Sequence, residues 1–192
     1  MATSTKEPRP SAARDRLLAA GSELFYREGI HSIGVDRIVG SADVTLATFY
    51  RHFGGKEALV EAYLDDQDAQ IRGVFAAAGE QSQDPKRMLE LLIEGLADDI
   101  ARNHTRGCPF INASAEYPDA NSPVRLTVAR HRAWFRNTLE QLLATAGAAD
   151  PKSAAAELVL LRDAAMVGGY LDGAKRVTET FTRAARRVAG LE

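Results

Sequence analysis

Residues 30–58 read IHSIGVDRIVGSADVTLATFYRHFGGKEA, and this stretch decides the fold. Val35, Ile38, Val39 and Ala42 follow the i, i+3, i+4, i+7 spacing of one short amphipathic helix. Asp43 and Val44 interrupt it, and a second short segment, 45–53, follows. Two short helices joined by a three- or four-residue turn form a helix-turn-helix, whose second helix enters the DNA major groove by its N-terminal end. Thr45 reads as the N-cap of that helix. Leu46, Ala47 and Thr48 present small or apolar tips where base edges would lie. Phe49 and Phe53, four apart, face a core. Tyr50, Arg51 and His52 supply hydrogen-bond donors one turn further along. Lys56 opens the next helix after Gly54-Gly55, where its ammonium and the helix N-terminus can both face a phosphate.

Working outward, residues 11–28 place Leu17, Leu18, Gly21, Leu24 and Phe25 on one stripe, with Ser11 as N-cap and Gly29 as the stop. Asp84-Pro85, Ser122-Pro123 and Asp150-Pro151 each read as a capping residue followed by proline at the first helical position, where the missing N–H has no partner in any case. These pairs predict helices at about 85–103, 123–146 and 151–171. Shorter helices are expected at about 109–117 and 175–189, and residues 76–84 read as a helix end plus a loop. No run shows strand alternation. The expected fold class is all-α: a flexible N-terminal arm at 1–10, a three-helix DNA-binding domain at 11–55, and a larger helical effector-binding and dimerisation domain at 56–192.

The chain has 192 residues, with 24 basic and 26 acidic side chains and a formal charge of −2, so gross composition does not announce a nucleic-acid binder. Residues 1–56 alone hold eight basic and six acidic groups, a weak asymmetry toward the helix-turn-helix end. The single cysteine, Cys108, excludes an internal disulfide framework and a multi-cysteine zinc site. With no apolar run near the length of a membrane span and no signal-peptide core, a soluble cytoplasmic chain is expected.

The run DVTLATFYRHFGGKEAL, residues 43–59, resembles the signature of the TetR family of bacterial transcriptional regulators, in which the recognition helix ends in Tyr-x-x-Phe and Lys-x-x-Leu follows a short turn. With helix one and Val35–Ile38, the resemblance spans about residues 11–64. It implies that Leu46, Ala47 and Thr48 meet base edges, that Tyr50, His52 and Lys56 grip phosphates, and that Arg37 is a further phosphate candidate. Arg51 fits a solvated position as well as a DNA contact, and Thr48 can instead bond its own helix. Three positions depart from the family pattern. Asp43 stands where glycine commonly makes the turn, Gly34 replaces a Thr or Ser cap, and Leu46 replaces a frequent polar reader and suggests contact with a thymine methyl.

A single helix-turn-helix reads a short half-site, so an interface for a twofold pair is expected in the rest of the chain. Leu158, Leu161, Ala165, Gly168 and Leu171 form one candidate face. Val177, Phe181, Ala184, Ala185 and Val188 form the second. The resemblance implies that these pair with their symmetry mates as a four-helix bundle. It also implies a small-molecule pocket enclosed by the remaining helices. Candidate lining groups are Phe75, Leu92, Leu96, Phe110, Ile111 and Ser114, followed by Tyr117, His131, Trp134, Phe135 and Met166, a mixture of aromatic area and polar tips. No cofactor or metal is implied. The function expected is a ligand-released repressor acting on a palindromic operator as a homodimer. The alternatives are an activator of the same fold, or a helical adaptor or enzyme without DNA binding. The enzyme reading rests on His104, Cys108 and His131, and Gly107 and Pro109 make a continuous helix between the first two implausible.

Overall fold

The structure, a computed structural model, describes residues 11–103 and 105–191. The expected arm at 1–10 and His104 lie outside the described residues. Among the described residues there is no strand. The chain divides into two compact units, one ending at Tyr63 and the other beginning at Leu64.

The first unit holds α1 (Ala12–Glu28), α2 (Val35–Ala42), α3 (Leu46–Phe53) and the opening turns of α4 (Lys56–Gln81). Its core is made by Leu17, Phe25, Ile38, Phe49, Leu59 and Val60, all buried, with Ile30 and Ile33 closing it from the α1–α2 connection. Gly21 belongs to the same face, because a Cβ there would stand 2.8 Å from Leu59 Cδ2, so the absent side chain lets α4 approach α1. Ser11 occupies the N-cap position of α1 but makes no capping bond; its Oγ lies 3.4 Å from His52 Nε2 instead.

The turn between α2 and α3 is built on Asp43, whose φ of 50° and ψ of 55° place it in the left-handed region. It is the only described non-glycine residue with positive φ. Aspartate tolerates this conformation better than most L-residues. Arg16 on α1 secures the turn: its Nε donates to the Ala42 carbonyl at 3.0 Å and its Nη2 reaches the Asp43 carbonyl at 3.4 Å. These carbonyls end α2 and have no helical partner of their own. Thr45 then caps α3, accepting from the Thr48 N–H at 3.2 Å, and Gly54 ends it in the left-handed region.

The second unit contains the rest of α4, then α5 (Pro85–Arg102), α6 (Pro109–Glu116), α7 (Pro123–Thr145), α8 (Pro151–Gly168) and α9 (Ala174–Val188). Each of the three anticipated cap–proline pairs forms. Asp84 accepts from the Lys86 N–H, Ser122 from Arg125 and Asp150 from Ser153. Helices α5 with α9, α7 with α8 and α8 with α9 are the principal packed pairs, around Leu89, Leu92, Leu96, Phe135, Leu139 and Leu158.

Residues 76–84 are a helix end plus a loop, as expected: α4 continues to Gln81, favoured by Ala76, Ala77 and Ala78, and three residues then precede α5. One boundary differs from the sequence expectation. The helix expected over 151–171 ends at Gly168, and Gly169–Gly173 form a π-helical turn that passes directly into α9. The two glycines Gly168 and Gly169 weaken α-helical continuation, and Gly173 closes the turn at φ 92°, a conformation suited to glycine.

Candidate functional site

Helix α3 presents one face to solvent and one to the core. Phe49 is fully buried and Phe53 nearly so, while Leu46 is 43% and Tyr50 51% exposed. Thr45, Ala47 and Arg51 are also exposed, and Thr48, His52 and Lys56 are half-buried. The outward set therefore comprises the helix start (Thr45, Leu46, Ala47) and the residues one turn on (Tyr50, Arg51). The Tyr50 ring meets Phe49 edge-on, with centroids 5.2 Å apart, so its ring is braced by the core while its hydroxyl end is free to project.

The threonines share a bond. Thr45 Oγ1 and Thr48 Oγ1 are 2.9 Å apart, and the same Thr45 oxygen caps the helix. Thr48 thus bonds the cap rather than a carbonyl of its own helix. The N-terminal tip of α3 offers mainly methyl and methylene surface.

Arg37 is placed differently from the other cationic candidates. It makes a two-pronged ion pair with Glu28, including Nη2 to Oε1 at 2.6 Å. That hydrogen bond holds the Glu28 carboxyl below its ordinary pKa. A phosphate reaching Arg37 must share it with Glu28. Arg14 lies over the Phe53 ring at 5.1 Å, a cation–π contact that steadies the end of α3. Arg16, with its grip on the turn, is a positioning residue that sequence reasoning missed. Its partners are 26 and 27 residues away, so no local pattern announces them.

In the second unit the aromatic candidates come together. His131 stacks on Phe110 with centroids 3.8 Å apart and planes within 3°. Phe75 meets both Trp134 and Phe135 edge-on, at 5.3 and 5.6 Å. Phe110, His131, Phe135 and Met166 are buried, and Phe75 and Trp134 half-buried. Leu92 and Leu96 line, with Phe135, a small apolar cavity of about 10 Å³. Ile111, Ser114 and Tyr117 are half-buried on α6 and at its end. Ser114 donates back to the Phe110 carbonyl at 2.8 Å, so its hydroxyl is already occupied.

Polar groups thread through this aromatic cluster, and no local pattern announces most of them. His131 Nδ1 lies 2.7 Å from Asp68 Oδ1, and Arg72 Nε donates to the other oxygen at 2.6 Å. Burial works to raise the Asp68 pKa, but the bonds from Arg72 and His131 overcome it and hold the group below its ordinary value. Burial also lowers the pKa of His131, against the opposing pull of Asp68. A carboxylate only accepts, so the neutral imidazole must carry its proton on Nδ1. The Arg72 guanidinium also covers the Trp134 ring at 3.9 Å.

Arg162 is the least expected member. It is 3% exposed and lies on α8 between Leu158 and Met166, within the apolar stripe. Its Nη1 donates to Cys108 Sγ at 3.2 Å and to Asp163 Oδ1 at 3.3 Å. Cys108 is both buried and at the N-cap position of α6, and it accepts this bond in addition. The signal that finds Arg162 is a cation at core spacing within an otherwise apolar helix face. Among the described residues no group of three or more His, Cys, Asp or Glu side chains is arranged to hold a metal ion.

The candidate interface residues divide. Leu158, Ala165 and Phe181 are buried within their own unit. Leu161, Gly168, Val177 and Ala184 are half-buried along an open groove of about 400 Å³ between α8 and α9. Val188 is half-buried and Leu171 is 70% exposed. The smallness of Gly168 and Gly169 already serves packing inside the chain. A Cβ at Gly168 would meet Val177, and one at Gly169 would meet Ile100, each at 3.4 Å. Leu160 at 67% and Val167 at 42% exposure share the outward face of α8, and sequence reasoning passed over both.

The chain's similarities extend over both units. The family model described as "Bacterial regulatory proteins, tetR family" matches residues 17–63, and "Tetracyclin repressor-like, C-terminal domain" matches residues 85–185. The crystal structure of a TetR-family transcriptional regulator from Streptomyces coelicolor is 44% identical, with a TM-score of 0.90, covering 94% of this chain and 97% of that one. The HTH-type transcriptional regulator LmrA of Bacillus subtilis is 25% identical over 163 residues, 83% of this chain and 85% of its own length. UidR of Escherichia coli K12, also an HTH-type transcriptional regulator, is 41% identical over 56 residues, 29% of either chain. With a helix-turn-helix presenting α3 to solvent and a helical second unit matched over most of its length, the chain belongs to the TetR family of bacterial regulatory proteins and is a transcriptional regulator with a helix-turn-helix DNA-binding domain.

Proposed function

We propose that this regulator is a cytoplasmic repressor that binds a palindromic operator as a homodimer and is released by a small-molecule effector. The observation that carries the DNA-facing part is the division of α3, with Phe49 and Phe53 inward and Leu46, Ala47, Tyr50 and Arg51 outward. In this reading Leu46, Ala47 and Thr48 lie against base edges, with Thr45 positioning them. Tyr50, Arg51, His52 and Lys56 hold phosphates on either side, and Arg37 joins them by exchanging Glu28 for phosphate. Because the tip is apolar, readout there is by contact with thymine methyls rather than by hydrogen bonds.

Two copies must set their α3 helices about 34–36 Å apart to read successive major grooves on one face of the duplex. The outward apolar residues of α8, Leu160 and Val167, together with Leu171 and the α8–α9 groove, supply a face for that pairing. An exposed apolar strip of this kind is the usual mark of an interaction surface. The effector acts by preferring a conformation in which the two recognition helices are wrongly spaced. Moving such an equilibrium from 1:99 to 99:1 takes a preference of about 10⁴-fold. The aromatic cluster of the second unit, Phe75, Phe110, His131, Trp134 and Phe135, is where that preference is generated.

Fluorescence anisotropy with duplexes from the protein's own genomic neighbourhood, at two salt concentrations and with random-sequence competitor, tests the reading. A repressor binds one duplex selectively and loses affinity steeply with salt. Sedimentation should give a dimer, and Val167→Glu a folded monomer with weakened operator binding. Equal affinity for every duplex, or a monomer that binds a palindrome at full strength, overturns it.

A further inference from the structure

The buried guanidinium of Arg162 is poorly matched by what surrounds it. Its Nε is buried and has no hydrogen-bond partner among the described residues. Its Nη1 has a thiol, a weak acceptor, and Asp163, which is already held by Arg132 at 2.8 Å. The nearby Asp68 carboxylate is likewise taken, by Arg72 and His131. Arg162 therefore shares Asp163 with Arg132, and Asp68 is shared by Arg72 and His131, so neither carboxylate is given over to the buried guanidinium. Buried polar groups are ordinarily satisfied, and an orphan N–H on a buried cation calls for a missing acceptor.

Immediately beside the guanidinium is an apolar region. Leu158 precedes Arg162 by one turn of α8, and His131, Phe135 and Leu139 lie at successive turns of α7. Phe135 has the Arg162 guanidinium 5.6 Å from its ring centre and also lines a cavity with Leu89, Leu92, Leu96 and Leu158. At about 10 Å³ that cavity holds no more than a water molecule, so a ligand body entering it has to displace a wall, and Phe135 is the wall that also meets the Arg162 guanidinium.

We infer that the effector is a monocarboxylate on a compact apolar body, its carboxylate seated on the Nε edge of Arg162 and its body replacing Phe135 in the leucine-lined cavity. The inference rests on the ligand-responsive reading above and names its ligand class. A carboxylate gives the orphan N–H a charged acceptor, a cation is repelled by the guanidinium, and a neutral headgroup lacks the charge to complement it. Insertion at Phe135 forces a choice between two packings of a close-packed core, the kind of bistable element that a ligand can bias.

The test is a headgroup series on full-length protein: octanoate, octanamide and octylamine, with 3-phenylpropanoate and its amide as a second body. Calorimetry and thermal shift measure binding, and anisotropy measures release of the selected duplex. The carboxylates are expected to bind at least tenfold more tightly than their amides, with no binding of the amine. In Arg162→Met the carboxylate and amide should bind equally, while Arg162→Lys keeps part of the preference. In the wild-type protein the ¹⁵Nε–H resonance of Arg162, identified by its loss in the lysine variant, should shift downfield with carboxylate and not with amide. If Arg162→Met fails to fold, the wild-type headgroup ratio and this resonance decide alone. An amide or amine that binds as well as the carboxylate, a preference that survives Arg162→Met, or a series in which nothing binds overturns the assignment. The broader reading fails separately, if no small molecule of any charge class alters operator affinity.

Discussion

Arg16 gives the sharpest test of how the recognition helix is held, because it sits on α1 and is outside the set proposed to touch DNA. Replacing it with methionine keeps most of the aliphatic stem and removes the bonds to the Ala42 and Asp43 carbonyls. The first, at 3.0 Å, is a well-formed charge-assisted bond; the second, at 3.4 Å, is at the edge of useful geometry. A hydrogen bond to a charged group contributes about 1.5–3 kcal/mol when sheltered from solvent. This one is only partly sheltered, so about 1–2 kcal/mol is the reasonable expectation. For a small domain each kcal/mol lowers the melting temperature by about 4–8 °C, which predicts a fall of roughly 5–15 °C for the first unit. The more specific readout is hydrogen exchange. Amides from Val44 to Phe49 should lose protection along with global stability, since the turn and the α3 cap depend on the same carbonyls. Operator affinity should fall without a change in base preference. Arg16→Lys, which keeps a charge and one donor, should recover part of the loss. If Arg16→Met melts with the wild type and exchanges normally at 44–49, the clamp is ornamental and the reasoning fails.

Lys56→Ala should weaken binding to all duplexes about equally and flatten the salt slope by about one unit, and a sequence-selective loss in competition assays would remove it from the phosphate set. Replacing thymine by deoxyuridine, base by base across the operator half-site, should cost affinity at the one or two positions beneath Leu46 and Ala47. Affinity indifferent to every such methyl would show that the tip does not read thymine. Acid should destabilise the second unit in two stages. His131 has a folded pKa below its unfolded value near 6.5, so the unfolded chain takes up protons first as pH falls through 6.5, and stability drops there. Asp68, also lowered, adds a further loss only below its ordinary value near 3.8. In His131→Gln the decline beginning at pH 6.5 should disappear from denaturant melts, and its persistence would mean that another group titrates there.

What was legible in the sequence follows the range of each interaction. The α2–α3 pair, the Thr45 cap and the three cap–proline starts are written in residues no more than four apart. Asp43 could be assigned to the turn from its tolerance of left-handed backbone. Arg16 with Ala42, Asp68 with His131 and Cys108 with Arg162 span 26, 63 and 54 residues, and no periodicity reports them. Composition points to the pocket candidates, and it selects core residues as readily as lining ones. It finds the aromatic cluster and misses Arg162, Asp68 and Arg72, the charged groups that give it chemistry. The interface candidates followed the most regular apolar stripe. Such a stripe is also what a helix uses to join its own core, and Leu158, Ala165 and Phe181 do so. The outward pair Leu160 and Val167 lies off that stripe.

The two units also differ in how freely their chemistry can change. An eight-residue helix such as α3 is too short to be stable alone, so its order comes from Phe49 and Phe53 in the core and from Thr45 at its start. Leu46 and Ala47, outward on the same helix, carry no such duty. Substituting Leu46 or Ala47 should alter stability by less than about 0.5 kcal/mol while changing which bases are read. In the second unit the groups that would recognise an effector are themselves the core. Truncating Phe135 removes a ring packed against Phe75, His131 and Trp134, at a cost of about 3–5 kcal/mol, a large part of a domain's net stability. Operator choice can therefore drift by single exposed substitutions, whereas a new effector requires several core residues to change together.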